Sequence, residues 1–162
     1  MRRTWLAVAV QLVLMGLVFL PPLLVRATGD TVYLETEKMD PRSLFRGHYV
    51  ILGYTVAQGI VSRDLAQASR ETGRPVYVTV TTDRPARFVA VGLERPRPAA
   101  GEACIMGRVR GWGSAVDFPQ IAQYFAPRHE AHELEGLRGK NLLARVETSS
   151  SCNAVLEGLE PR

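Results

Sequence analysis

Residues 127–135 (PRHEAHELE) hold the most obvious candidate for chemistry. His129 and His132 lie three apart with Glu133 beside them, so a helix would set both imidazoles on one face. The pattern is HExH, whereas zinc sites of the HExxH type need histidines one turn apart and a third protein ligand. A solvated, charged helix face is the better reading. No metal and no other cofactor is expected. A second candidate is an aromatic surface made from Tyr33, Tyr49, Tyr54, Tyr77, Trp112, Tyr124 and Phe125, since aromatics with polar tips bury large area at recognition patches. Each of them also suits the rim of a sheet core.

The third candidate is a nucleophile. Residues 38–47 (KMDPRSLFRG) look somewhat like the serine-bearing box of membrane-anchored signal peptidases, where a nucleophilic serine precedes such a turn and a lysine is the base. Here Glu37 and Lys38 precede Met39 where that serine is needed, and Ser43 is the one serine of the turn. Neither Lys38 nor Lys140 lies in an apolar strand that would lower its pKa, and a hydroxyl without a placed base is inert. A signal-peptidase-like serine hydrolase around residues 40–47 is therefore the alternative reading, and the chain is not taken for an enzyme.

The elements that would position these groups begin with a membrane anchor. Residues 5–25 (WLAVAVQLVLMGLVFLPPLLV) carry Gln11 as their one polar side chain, a length suited to a transmembrane helix. Arg2 and Arg3 hold the N-terminus inside, which puts the rest of the chain in a periplasm-like or extracytoplasmic space. The competing reading is a cleaved signal peptide ending near Val25-Arg26-Ala27; the apolar length favours a retained signal-anchor over residues 1–27, followed by one domain over residues 28–162. The formal charge of +4 is mostly anchor flank: without Arg2, Arg3 and Arg26, 17 basic residues oppose 16 acidic ones. No clustered basic face remains, so nucleic acid is excluded as a partner. Cys104 and Cys152 are the two cysteines, and in such a compartment they form either a disulfide or two buried thiols.

Past the anchor, residues 31–38 read as a strand, and residues 48–56 as a second, central one after a turn at Asp40-Pro41. Alternation puts Tyr49, Ile51 and Gly53 on one face of it and His48, Val50, Leu52 and Tyr54 on the other. Ser62 caps a short helix over residues 63–71 that Gly73 and Pro75 stop. Residues 76–82 (VYVTVTT) alternate strictly, and residues 87–93 return as their antiparallel partner. A proline- and arginine-rich loop (94–101) leads to a strand over residues 104–112. An extended stretch follows over 116–125, interrupted at Pro119. A second short helix is expected over 129–137, and a terminal hairpin from residues 142–147 and 154–159 around the turn 149–153. The fold class is α+β, a mainly antiparallel sheet or partly open barrel with two short helices, preceded by the transmembrane helix.

The spacing Gly47, Tyr49, Leu52, Tyr54 resembles the motif of the GDYXXLXY family of membrane-anchored proteins. The likeness extends to the Asp40-Pro41 turn, Arg46, the segment Tyr124-Phe125-Ala126-Pro127 and the closing hairpin. It implies membrane attachment, an extracytoplasmic domain and a multi-spanning membrane protein as partner, and it supplies no activity. The chain departs from the family at His48, where the motif has aspartate, and at Arg128, where an acid is common. Both changes run from acid toward base, and the expectation is that the two positions face each other across a groove. His48, Tyr49, Tyr54, Tyr124 and Arg128 are thus the expected binding residues of a module that acts with another envelope protein.

Overall fold

The computed structural model describes residues 2–37, 49–111, 113–125 and 142–162. In chain order they form helix α1 (Arg2–Thr28), strands β1 (Asp30–Glu35) and β2 (Tyr49–Ile51), a 3-10 turn (Thr55–Ala57) and helix α2 (Arg63–Thr72). Then come β3 (Val76–Thr81), β4 (Phe88–Gly92), β5 (Glu102–Val109), β6 (Val116–Asp117), β7 (Gln123–Phe125), β8 (Leu142–Thr148) and β9 (Ala154–Pro161). This is an α+β fold whose antiparallel sheets, in the orders β1-β8-β9, β2-β7 and β4-β3-β5-β6, include a curled half-barrel.

The strand periodicity explains the core. Val76, Val78 and Val80 of β3 are all fully buried, and the register sets Val78 between Val91 of β4 and Ile105 of β5. From the other sheet, Val32 and Leu34 of β1 and Leu142, Ala144 and Val146 of β8 join the same cluster. Each buried Val or Leu contributes about 1.5–3 kcal/mol, so this seam is the main source of stability. Helix α2 lies outside it and turns Ala66 and Ser69 inward. Its ends follow the expected chemistry: Ser62 Oγ accepts the Leu65 N–H at 3.2 Å, and Gly73 closes the helix in the left-handed region at φ 64°.

The two larger sheets are fastened by the tip of the β8–β9 hairpin. Cys152 forms a disulfide with Cys104 of β5, and its carbonyl accepts the Met106 N–H at 2.8 Å. Both cysteines are buried.

Three expectations change. The strand expected over residues 48–56 stops at Ile51 in the described residues and gives way to the 3-10 turn, because Leu52 and Tyr54 find partners outside β7. The extended stretch 116–125 divides into β6 and β7 around Pro119, which has no N–H to give a ladder. The apolar N-terminal segment is helical but not straight: Val8–Val18 and Pro22–Thr28 meet at 46°. The bend falls at Pro21-Pro22, two residues without a donor for the helical ladder. Among the described residues no single helix is long and apolar enough to cross a membrane, and these two pieces meet that measure only together. The helix expected over 129–137 lies outside the described residues.

Candidate functional site

The motif segment enters the described structure at Tyr49, and its backbone is used from both sides. β2 pairs with β7, Tyr49 opposite Phe125, Val50 opposite Tyr124 and Ile51 opposite Gln123. The next peptide groups reach elsewhere: Leu52 N–H donates to Ala122 O at 2.9 Å, Glu37 N–H donates to Gly53 O at 2.8 Å, and Tyr54 forms a bridge with Thr36. One short run therefore stitches the end of β1 to the turn between β6 and β7.

The alternation of side chains follows the sequence. Leu52 and Tyr54 are 5% and 3% exposed, while Ile51 between the strands' two faces is 63% exposed. The Tyr54 hydroxyl donates to Ile121 O at 2.6 Å, and the ring meets Phe118 edge-on with centroids 5.9 Å apart. Burial pushes the hydroxyl's pKa well above the ordinary tyrosine value. Tyr54 is thus a tie inside the core, and a surface ligand would not meet it. Tyr124 is half-buried and packs against the same core. Tyr33 carries the Arg84 guanidinium 4.4 Å above its ring, and Arg84 also pairs with Glu160 at 2.7 Å, so this aromatic serves to hold the β3–β4 turn against the sheet of β1.

On the outward face, Gly53 lies under Glu37. A Cβ at position 53 would collide with that carboxylate, so the small residue makes room for an acid above the motif. Arg110 stands in the same field. Its Nε donates to Asp117 Oδ1 at 2.6 Å, and this hydrogen bond, with the charges of Asp117 and Glu37 behind it, holds the guanidinium above its already high pKa. The surface over Gly53 therefore combines two acids and one base, and Ile51 is exposed in β2 nearby along the chain. Sequence reading did not assemble Glu37, Arg110 and Asp117, which come from three separate segments; the one local signal was the glycine inside the strand pattern.

A second concavity of about 780 Å³ opens between α2 and the turn after β5, lined in part by Val61, Ser62, Arg63, Arg70, Gly113 and Ser114. The Val61 N–H donates to Ser114 O at 3.0 Å and closes its floor. Among the described residues no group of three His, Cys, Asp or Glu side chains comes together as a metal site. Gly47, His48 and Arg128, the turn bearing Ser43, Trp112 and the residues His129, His132 and Glu133 lie outside the described residues.

No curated protein and no solved structure matches the chain. A family model does, that of the GDYXXLXY protein, and it aligns with residues 11–159, from within α1 to Leu159 within β9. Leu52 and Tyr54, buried by the motif's own spacing, and the hairpin that closes the fold all fall inside this match, and the chain belongs to the GDYXXLXY family.

Proposed function

We propose that this chain is a single-pass, membrane-anchored extracytoplasmic module that binds or supports another envelope or membrane protein. The observation that carries the reading is α1. Trp5, Leu6, Leu12, Val13, Leu17 and Val18 are each more than 60% exposed, and further apolar side chains are exposed around the whole helix up to Leu24. A helix apolar on every side needs an apolar surrounding. The two pieces Val8–Val18 and Pro22–Thr28 together have the length and composition of a span, bent by 46° between them. The buried disulfide suits an oxidising, exported location.

The partner's surface is the outward face of the motif. Among the described residues Ile51 is the most exposed large apolar side chain outside α1, and two positions further on Gly53 carries Glu37, in the field of the Arg110–Asp117 pair. His48 and Arg128 belong to the same reading, as charge-altered positions of one groove. What supports it is that Tyr49 and Phe125, the described residues nearest to them along the chain, are paired across β2 and β7.

A photo-crosslinking residue placed at Ile51, at Gln123 opposite it, and at Arg63 on α2 tests this in intact membranes. A discrete adduct with one multi-spanning protein from Ile51 and Gln123, absent from Arg63, is expected. Equal capture from all three, or none from the β2–β7 face, would overturn the assignment.

A further inference from the structure

The helix α1 does not end in a linker. Thr28 is its last residue and Asp30 the first of β1, which leaves Gly29 alone between them. The Gly29 N–H donates to Val25 O at 2.8 Å, and Thr28 Oγ1 donates to Leu24 O at 2.8 Å, so the helical ladder runs into the strand. A Cβ at position 29 would collide with Val25 O and stand 2.8 Å from Thr148 O and 3.2 Å from Thr148 N. These are backbone atoms that cannot swing aside, so only glycine lets β8 pass this close. Val25 is 6% exposed although its neighbours Leu23 and Leu24 are 56% and 52% exposed. Arg26 Nε pairs with Glu157 Oε1 of β9 at 2.7 Å. Within one turn, a buried side chain, an ion pair to β9 and a close approach to β8 join helix to sheet, while the Gly29 N–H continues the helical ladder up to the strand.

From this junction we infer that the last turn of α1 belongs to the domain's own fold, and that the piece Pro22–Thr28 and the domain form one rigid body, which seats the domain on the membrane-facing end of the helix without a linker. The inference rests on the reading of α1 as a membrane anchor. Its first consequence is reach. A domain of this length has a radius of gyration of about 14 Å, so every surface it presents lies within about 35–40 Å of the lipid. A partner is then itself in or on the membrane and meets the β2–β7 face in one orientation. Its second consequence concerns processing. Cleavage by a signal peptidase after Ala27 needs an extended segment, whereas Val25, Arg26 and Ala27 are helical, with Val25 buried and Arg26 paired to Glu157 of β9, once the domain has folded.

Pulsed electron-spin distance measurements on the full chain in lipid vesicles test this, with labels on Leu23→Cys, on the junction side of the bend, and Arg63→Cys, and the disulfide left intact. Three backgrounds are compared: the unchanged junction, Gly29→Val, and a four-residue Gly/Ser insertion after Gly29. The unchanged junction gives one narrow distance peak. The insertion broadens it by about 11 Å, the reach of a four-residue flexible coil, and Gly29→Val displaces or broadens the peak. A distribution for the unchanged junction as wide as that of the insertion overturns the rigid junction. Retention on vesicles after an alkaline wash is read on the same samples: a chain that washes off but keeps a narrow peak overturns the membrane reading, and one that stays bound with a broad peak overturns the junction alone.

Discussion

Removing one oxygen from Tyr54 separates the packing role of the motif from any surface role. Tyr54→Phe keeps the ring against Phe118 and deletes the hydroxyl that donates to Ile121 O at 2.6 Å in a site 3% exposed. The loss is one well-made hydrogen bond plus the cost of leaving a buried carbonyl without that donor, about 1–2 kcal/mol in all. The pH dependence is the sharper signature. Burial raises the folded-state pKa above the unfolded value of 10.0, so above that pH the unfolded chain releases a proton that the folded chain keeps. The tyrosine's contribution is thus fully present below pH 10 and is lost as pH rises toward the folded value, by up to about 1.4 kcal/mol per pH unit. Urea unfolding of the detergent-solubilised chain, followed by fluorescence at several pH values, measures both effects. The stability gap between the native chain and Tyr54→Phe is constant from pH 7 to 10 and closes within roughly one to two units above it. A gap below about 0.5 kcal/mol at neutral pH, or one that persists undiminished to pH 11, refutes the buried tie.

The Cys104–Cys152 bond closes a loop with a sequence separation of 48, for which chain entropy gives about 4 kcal/mol of stabilisation. The double substitution Cys104→Ala/Cys152→Ala is expected to lower the unfolding free energy by about that amount, and reductant should have no further effect on it; a loss under about 1 kcal/mol sinks the estimate. Adjacent positions of the motif should also behave oppositely: Leu52→Ala, at 5% exposure, costs about 2–5 kcal/mol, and Ile51→Ala, at 63%, changes stability by less than about 0.5 kcal/mol. Thermal melting of the two variants side by side checks the facing of β2.

What could be read from the residues divides by how far apart the interacting groups lie along the chain. Helix α2 carries its boundaries in Ser62, Gly73 and Pro75, and β3 and β4 in strict alternation around a short turn, so local chemistry sufficed for each. The β8–β9 hairpin was legible for the same reason. The disulfide was not, because whether two sulfurs meet depends on the hairpin tip reaching β5, a fact of topology. The second strand was over-extended because alternation tells which side chains turn inward and nothing about which neighbour takes the backbone. Leu52 gives its N–H to Ala122 and Tyr54 pairs with Thr36, so a continuous apolar run serves two sheets rather than one. That same division bears on where function sits. Leu52 and Tyr54, two of the motif's marked positions, are enclosed by the core and account for the spacing by packing alone. The proposed binding surface is what the alternation leaves outside, Ile51, together with the Glu37 carboxylate seated over Gly53 in the field of Arg110 and Asp117. On the proposed membrane-anchored reading, a domain joined to its helix by Gly29 alone keeps that face close to the lipid, and a partner is to be sought there.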